Sequence, residues 1–232
     1  MSTVAHSRKN IVANFLLLLQ AGWYGKKTEE KMNATTMSMP LSDRRYVTVS
    51  RRDGEDKINV REYVQYGVGG RVYPSIRGLF LTKDIWAEIM AVKEEVAETL
   101  NLVQAQELVK GPTEMVDGEP VMDNKEQKEE ICRKWHVAGN VFITVETGWL
   151  FVNLRRWWLP PESEDSQLVP TKRGLCLHPE EWSKLIGYSD KLEKLILGLA
   201  EALPHCLRRD HQNKLTRELC SHCNPTGSLN KL

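Results

Sequence analysis

The chain has 232 residues, 41% of them hydrophobic, which is enough to build a sizeable core in one or two domains. Its 32 basic and 31 acidic residues give a net charge of +1, so the chain as a whole lacks the basic excess that advertises a nucleic-acid partner. Five irregularly spaced cysteines argue against a disulfide framework and favour a reducing compartment, the cytosol or the nucleus.

The first predicted element is an apolar helix in the N-terminal part, residues 1–42. Its core is the run IVANFLLLLQAGWYG at residues 11–25. A bilayer span needs about 20 apolar residues, so this run is too short, and Asn14 interrupts it. A clean small-residue cleavage site of a signal peptide does not follow it. We therefore expect a helix that packs on the body of the protein and no membrane partner.

Two later segments of the chain resemble each other. INVREYV aligns with VNLRRWW, and PSIRGLFLTKDIW aligns with PTKRGLCLHPEEW. Arg61 and Arg155 are 94 positions apart (155 − 61), and Trp86 and Trp182 are 96 apart (182 − 86). Because ordered motifs recur at a nearly constant offset, we interpret the pattern as an internal duplication.

Each copy predicts the element order ββββα. Alternating residues from Tyr46 onward predict a strand, and Asp53-Gly54 predicts a tight turn to a second strand. Two further short strands are predicted around Arg77-Gly78, with the same pattern at Arg173-Gly174, and an apolar stripe at helical spacing follows each. The predicted fold class is therefore α+β, with two ββββα units of four antiparallel strands and one helix.

This interpretation divides the chain into five parts. Residues 1–42 hold the apolar helix and a flexible segment, and residues 43–100 form the first ββββα repeat. Residues 101–134 form an acidic linker, because its charge and its scattered Gly and Pro are typical of a solvated segment. Residues 135–203 form the second repeat, and residues 204–232 form a tail that contains Cys and His.

Strand side chains alternate between the two faces of a sheet, which separates a core set from an outer set. In the second copy Leu150, Val152 and Leu154 suit the helix-covered face. One helix covers one face of a sheet, so the other face is predicted to stay open. The outer sets of the two copies are Lys57, Asn59, Arg61 and Tyr63, and Trp149, Phe151, Asn153, Arg155 and Trp157. Aromatic rings interleaved with arginine can stack bases and neutralise phosphates; the alternative is that these rings cover a second apolar interface.

Six motifs carry a resemblance to a known family: RYVTV, INVREYV, IRGLFL and KDIW in the first copy, and VNLRRWW and TKRGLCLHPEEW in the second. They resemble motifs of the positive cofactor 4 family of transcriptional coactivators. The resemblance covers residues 45–100 and 140–200. It implies a fold that binds single-stranded DNA, with a curved antiparallel sheet plus a helix in each unit. It also implies that two units pair through their helices, here as an intramolecular pseudo-dimer of a monomeric chain.

The resemblance assigns the strand arginine to Arg61 and Arg155, and the tryptophan that follows it to Trp158. The first copy has Val64 in that place, and the family's strand glutamate is Arg156 in the second copy. The family's aromatic residue near the first turn is replaced by Arg52 and Glu146. With the alternation, the resemblance predicts a nucleic-acid-binding set of Arg61, Tyr63, Arg77, Trp149, Phe151, Arg155, Trp157, Trp158, Lys172 and Arg173.

The tail carries a pattern of metal ligands. Cys220 and Cys223 have the Cys-x-x-Cys spacing that places two thiolates on one tetrahedral ion. Cys206 and His211 are predicted to complete a zinc site, with His205 and His222 as competing ligands. Free thiols on a loose tail are the alternative interpretation.

The resulting hypothesis is a sequence-tolerant, single-stranded DNA-binding protein with a coactivator-like role in transcription, located in the nucleus. Its expected partners are single-stranded DNA and proteins of the transcription machinery. The competing hypothesis is a protein-interaction scaffold that kept the duplicated fold without nucleic-acid binding, and Val64 and Glu146 favour it. No nucleophile elbow or paired acid–base motif is present in the sequence, so we predict no enzymatic activity.

Overall fold

The computed structural model describes residues 35–52, 54–65, 67, 70, 72–109, 130–160, 168–211 and 213–225. The predicted N-terminal apolar helix and most of the acidic linker lie outside these residues. Within the described ranges, no helix combines the length and the apolar character that a membrane span requires.

The first unit is one antiparallel sheet followed by a long helix. Its strands are hydrogen-bonded in chain order: β1 (Thr35–Pro40), β2 (Arg45–Arg52), β3 (Glu55–Gln65) and β4 (Val72–Leu81). Helix α1 (Lys83–Val109) follows β4 directly. The tight turn predicted between β2 and β3 is present, with Gly54 at a φ of +81° that favours glycine.

The second unit repeats this order. Its strands are β5 (Cys132–His136), β6 (Val141–Glu146), β7 (Trp149–Trp158) and β8 (Val169–Leu177), again antiparallel in chain order. Helices α2 (Pro179–Gly187) and α3 (Ser189–Leu195) follow. The tail adds two short 3₁₀ turns (His205–Leu207 and Arg209–His211) and helix α4 (Lys214–Leu219). The predicted α+β fold of two ββββα units is confirmed.

The identity of the fourth strand in each unit differs from the prediction. The sequence predicts two short strands around Arg77-Gly78, but a single strand, β4, runs through this motif, and β8 does the same around Arg173-Gly174. The missing strand lies upstream instead, as β1 and β5. Both begin before the predicted repeat boundaries at residues 43 and 135. A β-bulge interrupts the pairing of β4 with β3 and of β8 with β7 beside this motif.

The inner faces of the two sheets form one continuous core with the helices. Ile58 and Val60 in the first unit and Val152 and Leu154 in the second are fully buried, as the alternation predicts. One hydrophobic cluster contains residues from both units, including the tryptophans near the start of α1 and α2. Burial of this shared apolar surface stabilises the pairing of the two units within the chain.

The boundary between the two units, called the seam below, is formed by strands as well as helices. Edge strands β4 and β8 adjoin each other, and α1 also lies against β6 and β7. Arg45 donates from Nη1 to the carbonyl oxygen of Cys176 at 2.7 Å and to Oε2 of Glu181 at 2.5 Å. The Tyr188 hydroxyl donates to the carbonyl oxygen of Pro40. Pairing through the helices, as the resemblance implies, is therefore only part of this seam.

The repeated Arg-Gly motif has a steric explanation. Gly78 pairs with Arg61 across the strands, and Gly174 pairs with Arg155. A Cβ atom on Gly174 would lie 2.6 Å from the carbonyl oxygen of Leu154 and 2.7 Å from Cα of Arg155. A Cβ atom on Gly78 would meet backbone atoms at 2.7 and 2.8 Å. Only glycine allows the backbones to approach this closely.

Gly174→Ala is therefore expected to lower the free energy of unfolding by about 1–3 kcal/mol, because backbone atoms must move apart to admit the methyl group. Chemical denaturation would measure the loss. Gly187→Ala is the matched control, since a Cβ atom there would meet nothing within 4 Å. Equal stability of the two variants would contradict this account of the motif.

Candidate nucleic-acid interface and metal centre

The strand arginines Arg61 and Arg155 occupy equivalent places on the outer faces of the two sheets. Nε of Arg155 donates to Oδ1 of Asn153 at 3.0 Å, and its Nη1 donates to the carbonyl oxygen of Thr171. Arg61 makes the corresponding bonds in the first unit, to Asn59 and to the carbonyl oxygen of Ser75. Both arginines are half-buried. Each one therefore stabilises its own sheet at the carbonyl group that begins a bulge.

The two bulges are called the β4 bulge (residues 75–77) and the β8 bulge (residues 171–173). In the β8 bulge, pairing shifts between Arg155 opposite Gly174 and Trp157 opposite Pro170. The Thr171 hydroxyl accepts from the backbone N–H of Arg173 at 3.1 Å, which holds the local turn. Bulges commonly change the direction of side chains, and this one carries two exposed cations.

The outer faces are less open than predicted. At their centres Thr48, Asn59 and Thr144 are buried, with 2%, 7% and 4% of their surface exposed. Arg61 donates to the side chain of Asn59, and Asn153 donates to the side chain of Thr144. In the first unit Tyr63 is also buried and contacts Tyr46 edge to face, with ring centroids 5.7 Å apart. Tyr63 therefore lacks the free ring face that the predicted stacking role requires.

In the second unit Trp157 belongs to a cluster with Phe142 and Lys134. The ring centroids of Trp157 and Phe142 are 5.8 Å apart, and the ammonium of Lys134 lies 3.4 Å from the Trp157 centroid. Burial lowers the pKa of Lys134 below its usual value. Trp157 is thus half-buried, and a cation of its own chain lies over its ring. Phe151 also contacts a ring of its own chain, since its ring centroid lies 4.5 Å from that of His178.

In the second unit, the exposed members of the predicted set lie at the two ends of the sheet. Trp149 is 68% exposed at the β6–β7 turn, where it pairs with Glu146. At the other end Trp158 is 52% exposed and pairs with Val169, beside the β8 bulge. Lys172 and Arg173 project from that bulge, and both are exposed. Among the residues that the structure describes, neither of these two has an acidic partner.

The equivalent end of the first sheet differs in charge and in ring surface. Arg77 of the β4 bulge is within 3.6 Å of Glu62, which partly neutralises it. The second unit has Arg156 in the place of Glu62. Glu62 pairs with Arg45, and Arg156 pairs with Val141, the residue equivalent to Arg45. Val64 occupies the place of Trp158. The second unit therefore presents the stronger combination of positive charge and exposed aromatic surface.

The tail contains a cluster of four metal-binding side chains. His205, His211, Cys220 and Cys223 each offer one ligand atom, and these atoms all lie within 4.8 Å of one another. Zinc bonds of about 2.0–2.3 Å at tetrahedral angles separate ligand atoms by about 3.3–3.8 Å, so small side-chain movements would complete such a site. Three of the four predicted ligands are brought together, and His205 takes the place predicted for Cys206.

The 3₁₀ turn explains this correction. Successive side chains of a 3₁₀ turn point about 120° apart, so His205 and Cys206 cannot face the same centre. His205 is buried toward the cluster, whereas Cys206 lies beside Glu88 of α1. Burial and the Glu88 carboxylate raise the pKa of the Cys206 thiol. His222 places its ring 4.8 Å from that of His205 but stays outside the four-ligand group.

A carboxylate orients His211 in the manner of a metal ligand, and a second carboxylate lies near His205 without a hydrogen bond to it. Nε2 of His205 lies 3.2 Å from Sγ of Cys220, and its Nδ1 faces the Asp84 carboxylate at 3.6 Å. Nδ1 of His211 is 3.0 Å from Oδ1 of Asp210, and its buried Nε2 has no hydrogen-bond partner. Carboxylates behind ligand histidines fix their ring orientation, and an unpartnered buried nitrogen is what a metal would satisfy.

The two thiols of the cluster have different pKa values. Burial raises the pKa of Cys220, but the neighbouring His211 imidazole and nearby backbone N–H groups outweigh it and lower the pKa to about 6. Burial and the neighbouring Cys220 raise the pKa of Cys223 to about 11. The site therefore already favours one thiolate, the form that binds metal.

Sequence reasoning missed the residues contributed by β2, β5 and β6. Lys134, Tyr46 and Phe142 contact the predicted aromatic residues, but β5 was not predicted at all. The alternation within β2 and β6 would have placed Tyr46 and Phe142 on the outer face, had the two strands been read in register with β3 and β7.

Comparison of the chain with protein-family models, with curated protein sequences and with solved structures finds no match. The geometry alone therefore defines the class of this protein: a duplicated ββββα chain with a basic, aromatic sheet edge and a His₂Cys₂ cluster in its tail.

Proposed function

We propose that this protein binds single-stranded DNA through the end of the second sheet. The observation that carries the proposal is the joint exposure of Trp158, Lys172 and Arg173 beside one bulge. Unpaired bases offer ring faces that stack on an aromatic side chain, and the strand backbone offers phosphates that cations neutralise. Duplex DNA keeps its base faces stacked inside, so an exposed indole favours single strands.

The β8 bulge contributes to the proposed binding site by positioning its two cations. Because Arg155 bonds the first carbonyl group of the β8 bulge, the two following cations extend outward beside Trp158. A strand that follows this edge meets positive charge and an aromatic ring within the same few residues. The arginine predicted to contact phosphate therefore acts mainly as a positioning residue for Lys172 and Arg173.

The coactivator-like role, the nuclear location and partners in the transcription machinery belong to the same proposal. They rest on the resemblance of the two sequence motifs to the positive cofactor 4 family and on the duplicated α+β architecture. The proposed activity is binding, with no covalent step.

A protein-interaction scaffold is the second candidate, and one observation favours it. The outer face of the first unit is largely covered: Tyr63 contacts Tyr46, Arg61 is bonded within the sheet, and Arg77 faces Glu62. A scaffold would use the two sheets as rigid supports for protein contacts and would not need exposed cations.

Fluorescence anisotropy with single- and double-stranded oligonucleotides at two salt concentrations separates the two candidates. We expect the single strand to bind more tightly than the duplex, with an affinity that falls as salt rises. Each neutralised phosphate contributes about 0.7 to the logarithmic salt slope for single strands, so Lys172→Ala with Arg173→Ala should reduce the slope by about 1.4. Absence of binding to any nucleic acid at low salt would support the scaffold.

We further propose that the tail cluster holds one zinc ion through His205, His211, Cys220 and Cys223. Two imidazoles and two thiolates form a common structural zinc site, which has no open coordination position. When bound, the ion would supply rigid tetrahedral cross-linking of the tail. The tail also contacts α1 through Asp84, where Arg208 donates at 3.1 Å, so the ordered tail stays attached to the first unit.

A further inference from the structure

The seam has two ends that correspond to each other through the duplication but carry different residues. Tyr46 pairs with Arg61, and Phe142 pairs with Arg155, so the residues preceding them, Arg45 and Val141, are equivalent. Trp86 in the first turn of α1 and Trp182 in the first turn of α2 are likewise equivalent, so the residue before each of them corresponds as well. Those residues are Ile85 and Glu181.

One end of the seam is ionic. Arg45 and Glu181 form an ion pair at 2.5 Å, with 23% and 7% of their side chains exposed. Arg45 also donates to the carbonyl oxygen of Cys176, and Oε2 of Glu181 also accepts from the backbone N–H of His178 at 3.0 Å. Arg45 therefore finds both of these acceptors, and Glu181 finds its cation, only when the first unit meets the second.

The positions that correspond to this ion pair in the other copy are apolar. Ile85 and Val141 are buried, with 7% and 1% of their surface exposed, and both belong to the shared hydrophobic cluster. Equivalent positions of the two units thus form two unlike surfaces. The first unit contributes a cation from its sheet and an apolar residue from its helix, and the second contributes the reverse.

We propose that this arrangement makes the pairing of the units selective, so that the surface of the first unit fits the second unit and rejects a copy of itself. Two first units facing each other would place Arg45 opposite Ile85 at both ends. Two second units would place Glu181 opposite Val141. Either combination leaves charges without partners in a largely buried place, which costs far more than an ion pair gains.

Two full-length variants with reversed charges test the proposal. Arg45→Glu places two carboxylates at the ionic end, and Glu181→Arg places two guanidinium groups there. In a mixture, two chains can exchange units, so that the first unit of each chain packs on the second unit of the other. At one seam of this two-chain assembly the two introduced charges then form an ion pair, and at the other seam the original ion pair is restored. After unfolding and refolding together, the mixture should contain a two-chain species in sedimentation and should melt at a higher temperature than either variant alone.

The matched control reverses the charges of the exposed ion pair of α4, in which Nζ of Lys214 lies 3.5 Å from Oε1 of Glu218. Lys214→Glu and Glu218→Lys should show no two-chain species, separately or mixed. If the seam variants fail to refold, Arg45→Val and Glu181→Ile replace them, because these residues copy the apolar end. Their double variant should then melt at a higher temperature than either single change.

Two results would overturn the proposal. One is a refolded mixture of the charge-reversed chains that contains only single chains, as each variant does alone. The other, in the apolar set, is a double variant whose loss of melting temperature equals the sum of the two single losses. Such additivity would mean that Arg45 and Glu181 do not depend on each other.

Discussion

Replacing Cys220 and Cys223 together by serine should reduce bound zinc from about one equivalent per chain to none. These residues supply both thiolates of the proposed site, and the two histidines that remain cannot hold the ion tightly. A metal that binds only the folded chain stabilises it by about 4 kcal/mol at 1,000 times its dissociation constant. Metal analysis after purification without chelator would measure the first effect, and melting with and without zinc the second.

Cys206→Ser is the matched control for this prediction. Cys206 lies beside Glu88 and outside the cluster, so its replacement should leave the zinc content unchanged. His205→Ala should lower it. Loss of zinc in Cys206→Ser with retention in His205→Ala would restore the ligand set that the spacing predicted and would contradict the geometry of the 3₁₀ turn.

Trp158→Ala should weaken binding of single-stranded DNA by roughly 5- to 150-fold. Stacking of one base on an aromatic ring is worth about 1–3 kcal/mol, and each 1.4 kcal/mol is a factor of ten in affinity. Because Trp158 is 52% exposed, its removal should leave the melting temperature nearly unchanged. Anisotropy titrations with parallel thermal melts would measure both quantities.

Tyr63→Ala provides the comparison. This residue is 8% exposed and contacts Tyr46, so its loss should lower stability more than it lowers affinity. Trp157→Ala should behave in a similar way, since it removes the ring beneath Lys134. A folded Tyr63→Ala variant that binds DNA more weakly than Trp158→Ala would make the first unit the main platform and contradict the proposed site.

The duplication and the inner core could be predicted because their signals are local. Alternation within a strand decides which side chains share a face, and Ile58, Val60, Val152 and Leu154 accordingly lie in the core. The Arg-Gly motif was visible as a repeat, although its reason was not. That reason, the close approach of Gly174 to Arg155 across the strands, becomes visible only when the register is known.

Strands β1 and β5 escaped prediction because their sequences carry little periodicity. TTMSMP and CRKWH lack the regular apolar alternation of a half-buried strand, and β5 is exposed at three of its five positions. Both strands form because β2 and β6 offer an unpaired edge of backbone groups. Such pairing depends on the neighbouring strand more than on the strand's own sequence.

The sequence by itself determined the duplication, the inner faces of the strands between the predicted turns and a tail able to hold metal. Only the tertiary structure decided which predicted site residues are accessible, which histidine joins the cluster and which residues of the two units meet. The outer face is covered by its own neighbours, His205 rather than Cys206 faces Cys220, and Arg45 meets Glu181 across 136 positions. These outcomes depend on distances between residues far apart in the chain, which no local pattern encodes.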